Sequence, residues 1–175
     1  MITIISATNR PNSSTLKVAK NYAQLMEKQG VESKILSLES LPVDFIFTDM
    51  YGKRSENFQQ LLDKYIIPAQ KFVIIVPEYN GSYAGILKTF IDAINPEVNR
   101  GKNAFLVGVS SGRAGNLRGM DHLTSVLHHL GIHVHHNKLP ISSVLSLLDE
   151  QGNLEDENTI KVLNKQITEI EPTKK

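Results

Sequence analysis

The run Phe72-Val73-Ile74-Ile75-Val76 contains no polar residue. A strand made from it has no face that suits water, so the sheet that holds it must be covered on both sides. A second run, Ile2-Thr3-Ile4-Ile5, opens the chain. Each run is followed by a polar loop that leads into a helical pattern. After the first strand the loop runs from Ser6 to Ser14. After the other it reads Pro77-Glu78-Tyr79-Asn80-Gly81-Ser82-Tyr83-Ala84-Gly85. Loops at the carboxyl ends of buried strands are where an open α/β sheet keeps its ligand.

Strands are expected at about residues 1–6, 32–38, 71–77, 103–110 and 132–138, and helices at about 13–29, 55–66, 84–95, 115–130 and 155–170. Leu16, Ala19, Tyr22, Ala23 and Met26 follow the spacing of an apolar helical stripe, and Gly30 stands where such a helix would end. Ile86, Leu87, Phe90, Ile91 and Ile94 do the same before Pro96. Ile160, Leu163, Ile167 and Ile170 mark a final amphipathic helix, expected to close the sheet edge. Residues 39–54 read as loop, and the tail Thr173-Lys174-Lys175 as frayed. Strands alternating with helices predict a parallel sheet with helices on both faces. Five such units fit a flavodoxin-like three-layer α/β sandwich with strand order 2-1-3-4-5, in one domain over residues 1–175. That order makes the two loops neighbours in space.

The remaining sequence narrows the chemistry. There is no cysteine, which excludes disulfides, thiolate catalysis and cysteine-held metals. A net charge of +1 carries no nucleic-acid footprint. No apolar run approaches membrane-spanning length and no signal-peptide pattern opens the chain, so the expected location is cytoplasmic.

The first loop, Ser6-Ala7-Thr8-Asn9-Arg10-Pro11-Asn12-Ser13-Ser14-Thr15, places hydroxyls, amides and one Arg at the start of a helix. Main-chain N–H groups there are unpaired and favour a phosphate. Thr8, Ser13, Ser14 and Thr15 can add hydrogen bonds, and Arg10 a charge-assisted one. A helix cap alone would need a single hydroxyl and no Arg. In the second loop, Pro77, Glu78, Tyr79, Asn80 and Gly81 suit a flat heteroaromatic ring: Tyr79 can stack, Asn80 and main-chain amides can bond ring heteroatoms, and Gly81 permits close approach. Asn-Gly is also a common turn pair. A third loop, Ser110-Ser111-Gly112-Arg113-Ala114-Gly115-Asn116, would lie beside the ring, or serve only as a strand-to-helix turn.

These residues resemble the NAD(P)H-dependent FMN reductase family, which includes quinone, azo-dye and chromate reductases. Its first-loop pattern, Gly-Ser-x-Arg-x-x-Ser-x-Asn, falls on Ala7 to Thr15, where Arg10 and Ser13 match, Thr8 keeps the hydroxyl, and Ala7 and Thr15 depart. Its second pattern, Pro-Glu-Tyr-Asn-x-Ser followed by Leu-Lys-x-x-(Ile/Leu)-Asp, falls on Pro77 to Ser82 and Leu87 to Asp92. The third loop is similar to the family's third flavin loop. The resemblance covers roughly residues 1–138. It implies bound FMN, with its phosphate held at Thr8, Arg10, Ser13, Ser14 and Thr15. The ring would lie among Pro77, Glu78, Tyr79, Asn80, Gly81, Ser110, Ser111, Gly112 and Gly115. It also implies NADPH or NADH as donor, a small-molecule acceptor such as a quinone, ping-pong kinetics, and a homodimer or homotetramer. No side-chain acid or base is nominated, because the flavin carries the chemistry.

The competing reading is a non-enzymatic flavin electron carrier or redox-responsive binding protein. Arg113 and Arg118 read either as solvated surface charge or as contacts for the extra phosphate of NADPH. His122, His128, His129, His133, His135 and His136 show no metal-ligand spacing and read as exposed or interface residues that titrate near neutrality.

Overall fold

The computed structural model describes residues 1–171. The tail expected to be frayed lies outside the described residues. The sheet is parallel throughout, in the order β2-β1-β3-β4-β5, with a sixth strand also paired to β4. β1 (Ile2–Ser6), β3 (Lys71–Pro77) and β4 (Asn103–Val109) form its centre and are almost wholly buried. β2 (Lys34–Ser37) is the outer strand next to β1.

Alternate residues of the central strands feed two separate cores. Ile2, Ile4, Val73, Ile75, Phe105 and Val107 point to one face, where α1 (Ser14–Lys28) brings Val18, Tyr22 and Met26. Ile5, Phe72, Ile74, Val76 and Leu106 point to the other, covered by the helices between β2 and β5. Of these, α2 (Phe45–Thr48) is a single turn inside the expected loop 39–54. α3 (Glu56–Leu61) continues into a wider π-helical turn, Leu62–Ile66. Phe45 stacks on Phe58, which meets Phe90 of α4 (Gly85–Asp92) edge-on. α5 (Leu117–His129) adds Met120, Leu123 and Leu127.

Two expectations need correction. The fifth strand, expected over 132–138, is split into β5 (His133–Val134), beside Asn103 and Ala104, and β6 (Leu139–Ile141), beside Val107 to Val109. Gln166, fully buried, occupies the gap. Its amide donates to the Leu106 carbonyl (3.3 Å) and to that of Asn137 (2.7 Å), replacing strand pairing at that level. Gln166 belongs to α6 (Glu157–Ile170), expected at the sheet edge. α6 instead lies on the same face as α1, over the β4–β6 end, where the Tyr22 hydroxyl donates to Gln166 Oε1 at 2.8 Å.

Candidate functional site

The parallel sheet sends its loops to opposite sides at β1, where α1 covers one face and the β2 crossover the other. The first and second loops, after β1 and β3, flank that switch point. β1 ends at Ser6, and the Ala7 N–H donates to the Ile75 carbonyl of β3 at 3.0 Å. The Thr8 hydroxyl and the Tyr79 hydroxyl then share a hydrogen bond of 2.9 Å, and the Arg10 N–H donates to the same Thr8 oxygen. Thr8 is buried and organises the two loops from behind. Asn12 adopts a left-handed conformation, after which Ser13 caps α1 by accepting the Leu16 N–H. The N–H groups of Ser14 and Thr15 have no acceptor inside the helix.

The second loop is a tight two-residue hairpin. Tyr79 and Ser82 exchange main-chain hydrogen bonds, with Asn80 and Gly81 both at positive φ between them. This is the geometry that Asn-Gly supplies most readily. The Gly81 main chain also lies against Arg118: a Cβ there would fall 2.6 Å from a guanidinium nitrogen, a contact the flexible arginine could relieve by turning away. One helical turn on from Arg118, His122 accepts from or donates to the Ser82 hydroxyl at 2.9 Å. The third loop is held by Ser110, whose hydroxyl donates to the Gly112 carbonyl and accepts the Gly115 N–H, both at 2.9 Å. It is also pinned to the segment after β6, because Ser143 N–H donates to Gly112, Val144 N–H to Ser110, and the Ser142 hydroxyl to Arg113.

Between these loops lies a cleft of about 630 Å³. Arg10, Ser13, Ser14 and Thr15 line one end; Pro77, Glu78, Tyr79, Ser110 and Ser111 line the rest. Thr8, Asn80, Gly81, Gly112 and Gly115 do not line it. Thr8 and Gly115 are buried supports, and Asn80 and Gly81 form the outer tip of their hairpin. Sequence reasoning missed Lys17, one turn into α1, and Val144 and Leu145 after β6. The 3–4 spacing from Ser13 could have flagged Lys17. Nothing local marks Val144 or Leu145, which arrive through the split of the fifth strand. Glu78 is the one carboxylate lining the cleft among the described residues, and it has no cationic partner within 4 Å. Among the described residues Arg10 and Lys17 likewise have no carboxylate within 4 Å, so the helix end of the cleft carries uncompensated positive charge.

A larger concavity, about 950 Å³, lies at the opposite end of α1 among Lys20, Ala23, Gly30, Val31 and Lys34. It stands at the amino ends of β1 and β2 and receives none of the three loops, so the smaller cleft is the better candidate. Among the described residues no group of three or more His, Cys, Asp or Glu is placed to hold a metal.

Comparison with known proteins adds to this geometry. A family model described as NADPH-dependent FMN reductase matches residues 1–144. The chain is 30% identical over 158 residues to an NAD(P)H-dependent FMN reductase of Pseudomonas aeruginosa, covering 86% of this chain and 85% of that one. It is 27% identical over 113 residues to an FMN-dependent NADPH-azoreductase of Staphylococcus aureus, covering 62% and 60%. The flavoenzyme NAD(P)H:(acceptor) oxidoreductase of Paracoccus denitrificans superposes with a TM-score of 0.80 at 25% identity, covering 96% of this chain and 93% of that one. An archaeal flavodoxin shares the fold at a TM-score of 0.58 and 11% identity.

Proposed function

Because the chain belongs to the NADPH-dependent FMN reductase family, we propose that it binds FMN in the cleft and uses NADPH or NADH to reduce small acceptors such as flavins or quinones. The observation that carries this reading is the convergence of three loops, from β1, β3 and β4, on one cleft at the carboxyl end of the sheet. The residues present suit the cofactor. Free main-chain N–H groups at Ser14 and Thr15, with Arg10 beside them, match a phosphate dianion. The far end, bounded by Pro77, Tyr79 and Ser110 with the Glu78 carboxylate among them, offers aromatic surface and hydrogen-bonding groups for a flat heteroaromatic ring.

FMN, when bound, accepts hydride from the nicotinamide and passes two electrons to the acceptor. The protein residues hold and orient it. The Thr8–Tyr79 hydrogen bond fixes the phosphate loop against the ring loop, and Ser110 keeps the third loop folded beside them. Donor and acceptor would use the open mouth of the cleft in turn, giving ping-pong kinetics. Of the residues assigned from sequence, Arg10, Ser13, Ser14 and Thr15 are proposed to face the phosphate. Pro77, Glu78, Tyr79, Ser110 and Ser111 are proposed to face the ring. Thr8, Asn80, Gly81, Gly112 and Gly115 would shape the loops.

A homodimer or homotetramer in the cytoplasm belongs to the same reading. Val43, Phe47 and Tyr51, large apolar side chains each exposed in the segment after β2, support a contact with a second copy. Light scattering tests it. No helix among the described residues is long and apolar enough to cross a membrane.

Anaerobic titration of the FMN-loaded protein with NADPH, then NADH, tests the activity. Bleaching of the flavin absorbance, reversed by added quinone, is the expected outcome. Retained flavin that neither nucleotide bleaches would replace the reductase reading with that of an electron carrier.

A further inference from the structure

Lys17 stands at an electrostatically awkward place. It follows directly on the first turn of α1, a turn with no acidic residue, where the helix dipole favours anions and disfavours cations. Its ammonium has no carboxylate within 4 Å and no hydrogen-bond acceptor among the described residues. A helix that needed only internal stability would place Asp or Glu here.

The stem of the side chain nevertheless packs against a neighbouring turn. The turn at Asp149–Asn153 packs against its stem so closely that a Cβ on Gly152 would lie 2.9 Å from Lys17 Cδ. That turn is itself locked to α1. The Asn21 amide donates to the Gly152 carbonyl at 2.8 Å, and Asn21 Oδ1 accepts the Leu154 N–H at 2.9 Å. Asp149 closes the turn by accepting the main-chain and amide N–H groups of Asn153. Lys17 thus stands on the ridge between the cleft and a side pocket of about 320 Å³, and Asn12 and Ser13 border both. The turn lies beyond residues 1–144, the extent of the family match.

We propose that Lys17 is a second cationic contact, with Arg10, for the phosphate of the bound flavin nucleotide, and that the Asp149–Asn153 turn acts as its positioning device. The anion would remove the conflict with the helix dipole and complete the charge balance at this end of the cleft. The segment outside the family match thereby contributes to cofactor binding. This inference rests on the reading of the cleft as an FMN site.

The test compares FMN with riboflavin, which lacks the phosphate. Protein stripped of flavin is titrated with each, following quenching of flavin fluorescence. Lys17→Ala should weaken FMN binding about tenfold, the scale of one charge-assisted hydrogen bond, and leave riboflavin binding unchanged. Lys17→Arg should restore FMN binding to within about threefold, since it keeps the charge. Asn21→Ala, which releases the turn, should lower the preference for FMN over riboflavin without altering Lys17 itself. Equal weakening of both flavins by Lys17→Ala, or no weakening, would overturn the proposal while leaving the FMN site intact. Failure of the unsubstituted protein to bind either flavin would overturn the cofactor reading, and this inference with it.

Discussion

The hydroxyls of Thr8 and Tyr79, on loops far apart in sequence, meet at 2.9 Å across the switch point between β1 and β3. The bond ties the first loop, at the α1 end of the cleft, to the second loop, at its other end. It sets the spacing of the two loops that the proposed FMN site requires to act together. Tyr79→Phe keeps the ring and removes the tether. Thermal unfolding should show a loss of about 1 kcal/mol, the usual net value of one hydrogen bond. FMN binding should weaken more than stability alone implies, because the loops lose their fixed spacing; a titration of the variant with FMN measures this.

Ser110 is the corresponding organiser of the third loop. Its hydroxyl accepts the N–H of buried Gly115 and donates to Gly112. Ser110→Ala leaves the Gly115 N–H without its acceptor, a loss on the order of 1–3 kcal/mol. Chemical denaturation should report that loss, and hydrogen exchange at Gly115 should accelerate in the native state.

Gly115 itself combines a positive φ of 54° with a close approach to Pro140, which a Cβ would meet at 2.4 Å. Gly115→Ala therefore sets backbone strain and a clash against the same short segment. The expected destabilisation is about 2 kcal/mol or more. The third loop should separate from the segment after β6, visible as lost protection at Ser143 and Val144, whose N–H groups it now accepts.

The contrast between what was legible and what was not follows from these contacts. β1, β3 and β4 are readable because both faces of each are buried, which forces a continuous apolar run whatever the neighbours are. Asn80-Gly81 is readable because only a few residue types accept positive φ at two successive positions. The split fifth strand is not readable: it depends on a glutamine amide from α6 entering between two strand segments, and no pattern within 132–138 encodes that. Lys17 is legible in part: its spacing from Ser13 turns it to the cleft side of α1, whereas the turn at Gly152 that packs on its stem is distant in sequence. Thr8 is legible as a hydroxyl of the first loop, yet its partner, Tyr79, lies on another loop. The residue types of the site follow from local rules, whereas their division into lining and supporting roles follows from long-range packing.

The histidines give a dependence on pH that does not involve the cleft. His135 stacks on Phe105 with ring centroids 4.7 Å apart and meets His136 at a tilt, 4.3 Å away. Burial, and the neighbouring His136, hold its pKa below the ordinary histidine value, against a smaller opposing pull from Glu169. In the unfolded chain His135 takes up its proton near pH 6.5. Between that value and its lower folded pKa the unfolded state binds more protons, so stability falls as pH drops through this window. Asp49 acts in a separate, more acidic one. Burial raises its pKa, but the Ser55 N–H, the Thr48 hydroxyl and the charge of Arg54 outweigh that and hold it below the usual carboxylate value. Its contribution is present above about pH 3.9 and is lost as pH falls through the lower folded pKa. Unfolding midpoints measured from pH 8 to pH 3 should therefore decline in two stages. His135→Phe, which keeps a ring against Phe105 and removes the titration, should flatten the first stage and leave the second. Asp49→Asn should shrink the second stage and leave the first, because Asp149 and Asp156, whose carboxylates accept N–H groups and are likewise held low, titrate in the same acidic window. A first stage unchanged by His135→Phe would overturn its assignment to His135.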